Sequence, residues 1–95
     1  MKVMIEELHR ILQHLADEER PLRLALLYTL SDLRRDQLPE VEAVWGRLSP
    51  ERKRATLRAL VELTEATIEV DFTTLFRFCL EDEDAEVRLL SLIHI

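Results

Sequence analysis

The chain has 95 residues, enough for one domain and too few for two, and 47% of them are apolar, which excludes a disordered chain. Nineteen residues are leucine and only one is glycine, so the φ > 0 hairpin turns of an all-β fold have almost no material. The net charge of −6 opposes the basic footprint that nucleic-acid binding requires.

The spacing predicts helices throughout. Over residues 3–16, Ile5, Leu8, Leu12 and Leu15 form an apolar stripe widened by Ile11, with Glu6, Glu7, Arg10, Gln13 and Asp17 on the other face. The run Asp17–Pro21 ends it, because Pro21 disfavours helix at Arg20 and suits the first turn of the next segment. Residues 21–33 are apolar almost all round, so this second helix is expected to sit centrally. A third is expected from about Asp36, its N-cap, to Arg47, with Pro39 in the first turn, a stripe of Leu38, Val41, Trp45 and Leu48, and Gly46 near its end. Trp45 reads as core on that stripe.

Ser49-Pro50-Glu51 is the clearest helix start: a capping serine, proline at the first helical position, and an acid at the positive end of the helix dipole. The fourth helix is expected to run to about Ile68 on a stripe of Leu57, Leu60, Val61, Thr64 and Ile68. Asp71 is read as the cap of a short fifth helix ending at Leu80, with Phe72, Leu75, Phe76 and Cys79 inward. Glu81–Asp84 form a charged turn, and Asp84 caps a last helix, Ala85 to Ile95. The reading is a single all-α domain spanning residues 1–95, of about six helices.

Charge is unevenly placed. Residues 1–46 carry net −3, residues 47–58 net +4, and residues 59–95 net −7. The basic island of Arg47, Arg52, Lys53, Arg54 and Arg58 has two readings: pairing with acids of neighbouring helices, or contact with an acidic partner. The longest unbroken apolar run, Leu24–Tyr28, is far short of the ~20 residues that span a bilayer. The start turns acidic at once and reads as no signal peptide, so the expectation is a cytoplasmic protein.

Residues 71–92 resemble a HEAT repeat: an apolar first helix, an Asp-rich turn, then Asp-x-x-Val-Arg opening a second helix. Asp82, Asp84, Val87 and Arg88 match that motif, Glu83 stands where proline is common, and Ser91 lies near a position that favours alanine. The clearest repeat is residues 71–95. Leu30-Ser31-Asp32-Leu33, Leu60-Val61-Glu62-Leu63 and Val70-Asp71-Phe72 extend the resemblance to the N-terminal region of HEAT-repeat proteins from filamentous green bacteria. The resemblance implies antiparallel helix pairs stacked into an α-α superhelix, or α-solenoid, that scaffolds other proteins without chemistry of its own. Solenoid repeats need neighbours to cover them. Leu89, Leu90, Leu92, Ile93 and Ile95 crowd the final helix, which leaves two readings: this end packs on a second copy, as a homodimer, or on another protein, or the last helix folds back onto the earlier five.

Catalytic and metal chemistry find little support. Asp82-x-Asp84-x-Glu86 lacks the turn glycine and distal glutamate of a calcium loop. Glu6-x-x-His9 has no second copy to complete a di-iron site, and His9 and His14 are five residues apart, which is wrong for shared ligation on a helix. His94 reads as an interface or surface residue. Cys79, the only cysteine, falls on an apolar face where a thiol is inert. One glycine makes no phosphate loop, and no serine sits in a nucleophile elbow.

The expectation is therefore a non-enzymatic protein-interaction or scaffold module that binds a protein or itself, with no cofactor, metal, nucleic acid or membrane. Its partner-binding residues are Arg52, Lys53, Arg58, Leu89, Leu92 and Ile93. The alternatives are a HEAT-like enzyme accessory of the phycobilin-lyase type, or a regulatory domain of a larger assembly.

Overall fold

Leucine-, arginine- and glutamate-rich runs that satisfy their own backbone bonds give an all-helical chain. The computed structural model describes residues 2–95, with side chains from Glu7 onward; Ile5 and Glu6 lie outside the described side chains. Among the described residues there are six α-helices and no strand: α1 (Lys2–Ala16), α2 (Leu24–Leu27), α3 (Leu38–Trp45), α4 (Pro50–Ala66), α5 (Thr73–Cys79) and α6 (Ala85–Ile93). Two 3₁₀ turns, Tyr28–Leu30 and Arg35–Gln37, run into or out of neighbouring helices. No described helix is long and apolar enough to cross a membrane.

Leu8, Ile11, Leu12 and Leu15 of α1 are buried against the Tyr28–Leu30 turn and α3. α4 is the spine: it packs against α2 on one flank and α6 on another, and α5 closes on α6. Leu27, Leu30, Leu57, Leu60, Leu75, Phe76 and Val87 are essentially solvent-free. Each such side chain contributes about 1.5–3 kcal/mol of transfer free energy. The radius of gyration of 12.2 Å matches the roughly 12 Å expected of one domain this long.

Two expected elements change. The helix expected over residues 21–33 is shorter: Arg23 is extended, α2 covers Leu24–Leu27, and the chain tightens into the Tyr28–Leu30 turn before breaking at Ser31. Leu27, Leu30 and Leu33 are buried, but Leu24 and Tyr28 face solvent. The cause is non-local. Asp71 N–H donates to Ser31 Oγ at 2.8 Å, and Asp32 N–H donates to the Asp71 carbonyl at 2.7 Å. Asp32 takes φ of 57°, a left-handed conformation that a short polar side chain tolerates. These bonds to a segment some forty residues away compete with continuing the helix.

The expected stripe on α4 holds at Leu57 and Leu60, with Val61 half-buried, and fails at its C-terminal end. Ile68 is 100% exposed, beyond the helix end, and Thr64 faces solvent. The buried face also takes in Arg52, Lys53, Thr56, Ala59 and Leu63. Asp36 does not cap α3: its carboxylate takes Arg34 Nε at 3.1 Å, while Gln37 Oε1 accepts the Arg34 N–H at 2.9 Å.

Two capping expectations match the structure, and a third is displaced by one residue. Ser49 Oγ accepts the Arg52 N–H at 3.1 Å with Pro50 in the first turn. Asp71 Oδ1 accepts the Thr73 N–H at 2.9 Å, but α5 begins at Thr73, so Phe72 holds the cap position and Asp71 lies one residue before it. Asp84 Oδ2 accepts the Val87 N–H at 3.1 Å to open α6. Each satisfies a donor that the first helical turn leaves without a partner.

Candidate interaction site

The basic island of α4 spreads over several faces of the helix, and its members meet different fates. Arg52 lies under the C-terminal end of α1. Its Nε donates to the Leu15 carbonyl at 3.0 Å, Nη2 to His14 at 2.7 Å and Asp17 at 3.1 Å, and Nη1 to Arg20 at 2.8 Å. The last carbonyls of a helix lack intrahelical partners and carry its negative dipole end. One planar guanidinium fork supplies both the donors and the positive charge.

Lys53, one residue on, points to the turn before α6. Its Nζ donates to Asp82 Oδ1 at 3.0 Å, and the same oxygen accepts Trp45 Nε1–H at 2.9 Å. Asp82 Oδ2 accepts the Asp84 N–H at 2.9 Å. Burial pushes the Asp82 carboxyl up, but the Asp84 N–H, Lys53 and Trp45 outweigh it and hold the group below its ordinary value. Trp45 is thus core, with its one polar atom satisfied.

Arg54 grips Asp84 through both Nε, at 3.1 and 3.2 Å, and Nη2, at 2.5 Å. The Arg54 bond, chiefly, brings the Asp84 carboxyl down to about 2. Arg58 pairs with Glu86 and stays exposed. Arg88 donates to the backbone carbonyls of Asp82 at 2.7 Å and Glu83 at 3.0 Å, rather than to an acid of its own turn. Four cations of the island therefore bind within the chain: three hold acids of residues 82–86, and Arg52 holds carbonyls. Of the expected contact residues, Arg52 and Lys53 are turned inward, and Arg58 remains at the surface.

α6 presents two unlike faces. Val87 and Ser91, one turn apart, are buried against the body, with Leu90 and His94 half-buried beside them. Ser91 Oγ donates to the Val87 carbonyl at 2.8 Å, so this small residue needs no partner outside its helix. His94 lies over the Phe76 ring at 6.1 Å between centroids. The opposite face carries Leu89, 54% exposed, Leu92, 64%, and Ile93, 61%, at i, i+3 and i+4, and Ile95 adds 48%. Scattered exposed leucines are ordinary, but Leu89, Leu92 and Ile93 share one helix face, and Ile95 follows just beyond the helix end. Glu86 and Arg88 flank it.

A second charged surface arises from residues far apart in sequence. Arg10 and Gln13 of α1 and Arg20 and Arg23 of the following connection line one groove with His14 and Asp17, over Ala25 and Leu26. His14 Nε2 accepts the Arg23 N–H at 3.1 Å. Burial first, then the charges of Arg52 and Arg23, lower the pKa of His14, while Asp17 acts in the opposite sense.

Cys79 is fully buried, and its thiol is pushed up to about 12 by that burial and by the Asp82 charge, so it is not a nucleophile at neutral pH. His9 faces Glu40 at 3.3 Å. Among the described residues, no three His, Cys, Asp or Glu side chains converge as metal ligands would. No family model, no curated protein and no solved structure matched the chain when each was compared with it.

Proposed function

We propose that the chain is a non-enzymatic protein-interaction module that associates with a second copy of itself through the outer face of α6. One observation carries the reading: Leu89, Leu92, Ile93 and Ile95 are about half exposed or more, while the inner face of the same helix is fully used. An isologous two-fold contact needs a self-complementary patch, and an apolar stripe meets that requirement without opposed charges. A patch of four residues is smaller than the ~800 Å² per partner of a standard interface, so the association is weak, in the micromolar range or above.

The HEAT-like reading of α5 and α6 belongs to the same proposal. The motif residues all have structural work in this chain: Asp82 accepts three donors, Asp84 caps α6, Val87 is buried, and Arg88 closes the turn carbonyls. A turn this heavily bonded fixes the angle between two helices, and so fixes where the outer face of α6 points.

A dilution series followed by methyl NMR tests the contact. The Leu89, Leu92 and Ile93 signals are expected to shift and broaden with concentration, while Leu27 and Leu57 stay fixed. Concentration-independent spectra at all sites would reject it.

A further inference from the structure

We infer that the groove formed by Arg10, Gln13, His14, Arg20 and Arg23 binds the phosphate group of a small molecule. The groove involves α1 and the connection to α2, so it is separate from the α6 face and does not depend on it.

The first argument is charge. In a chain of net −6, three guanidinium groups line this one groove against a single carboxylate, Asp17, which Arg20 holds at 3.1 Å. Behind it lies the Arg52 guanidinium, whose four hydrogen bonds all go to backbone carbonyls and none to a carboxylate, so its charge is not neutralised by an acid. This contrasts with Lys53, Arg54 and Arg58, each closed by an acid. His14 sits among these charges: burial first, then Arg52, Arg23 and Arg20, lower its pKa, and Asp17 acts against them. Arginines near a helix C-terminus also complement its dipole. Here Arg52 already meets those carbonyls, so the outer arginines are not needed for that role.

The second argument is rigidity. Residues 17–23 are mostly charged and would be a mobile loop if left alone. Instead, Arg52 holds the carbonyls of Asp17 and Arg20, Glu18 accepts both the hydroxyl and the N–H of Ser49, and the Arg23 N–H is seated on His14 Nε2. Arg20 and Arg23 therefore project from fixed backbone points, which lowers the ordering cost of binding.

The third argument is chemical fit. Guanidinium forks bind phosphate oxygens bidentately, and a phosphate has enough acceptors to engage several forks and the Gln13 amide at once. The groove volume, about 520 Å³, lies in the range of small-ligand sites. Asp17 and the overall negative charge disfavour an extended polyanion, which makes a small phosphate-bearing molecule the better match.

Titration of the full chain with inorganic phosphate and with pyrophosphate, followed by NMR at residues 10–23, tests the assignment. The expected result is saturable shifts in the millimolar range or tighter, stronger for pyrophosphate, with the His14 pKa rising at saturation by linkage. Arg23→Gln and Arg10→Gln should each weaken binding about tenfold or more at an unchanged melting temperature, and Arg47→Gln should leave it unaltered. The proposal is overturned by shifts that do not saturate, by sodium chloride reproducing them at equal ionic strength, or by unchanged binding in both groove variants. A phosphorylated peptide binding far more tightly than pyrophosphate would overturn the small-molecule assignment.

Discussion

Replacing Arg52 by alanine removes the donor to four carbonyls in one step. The Leu15 carbonyl bond is fully buried, and those to His14, Asp17 and Arg20 are partly so. Losing the partner of one buried acceptor costs about 2 kcal/mol, and water can replace much of the other three, for roughly 0.5–1 kcal/mol each. The total is about 4 kcal/mol. A 95-residue domain has about 5–14 kcal/mol of stability in all. The melting temperature should therefore drop by roughly 15–30 °C, read by circular dichroism. Arg52→Lys should recover less than half, because one ammonium cannot reach carbonyls spread over His14 to Arg20. Arg58→Ala removes an exposed pair and should stay within about 1 kcal/mol of the parent. An Arg52→Ala chain as stable as Arg58→Ala, or an Arg52→Lys chain as stable as the parent, would refute the view that this guanidinium caps α1.

The buried pair at the α6 turn makes a second prediction. Asp82→Asn leaves the Lys53 ammonium buried without its counter-charge and should cost about 3–5 kcal/mol, whereas Lys53→Met combined with Asp82→Asn should regain most of it. Trp45 is the sole tryptophan, so its fluorescence reports the loss of the Asp82 bond directly in urea titrations. The carboxyl of Asp82 is held below its ordinary value, so its contribution is complete above about pH 3.8 and lost as pH falls through the folded-state value. His14 gives the third prediction. Its pKa is lowered from 6.5 by burial and by Arg52, Arg23 and Arg20, against Asp17, so the unfolded chain binds the proton more readily. Its stabilising effect is present above pH 6.5 and is lost as pH falls through the folded value. The urea midpoint should fall between pH 7 and pH 5 in the parent and fall less in His14→Gln; equal slopes would contradict this.

Much of the fold was legible in the sequence where the cause is local. Ser49-Pro50, Asp71 and Asp84 act on donors two or three residues away, so their bonds could be read from spacing. The break at Ser31 could not, because its reason is the Asp71 backbone some forty residues on. Of the two readings of the charged island, internal pairing holds for Lys53, Arg54 and Arg58, and Arg52 is the member whose role was missed. Arg52, Thr56, Leu60 and Leu63 fall at i, i+4, i+8 and i+11, so Arg52 is in phase with the apolar stripe. That phase was the available signal that this cation is structural. The acidic run at 81–86 was visible, but only the fold shows that it closes on Lys53, Arg54 and Arg58. Arg10, Arg20 and Arg23 gave no signal, since a surface assembled from two elements leaves no run in the sequence.

Self-association is the claim on which the proposed function rests, and light scattering across a micromolar concentration range measures it most directly. The parent should approach twice its 11.2 kDa mass as concentration rises, and Leu92→Glu, which places a charge at the centre of the outer α6 face, should remain at 11.2 kDa with its melting temperature intact. A parent chain that stays at 11.2 kDa throughout, or a Leu92→Glu chain that dimerises equally well, would contradict the account.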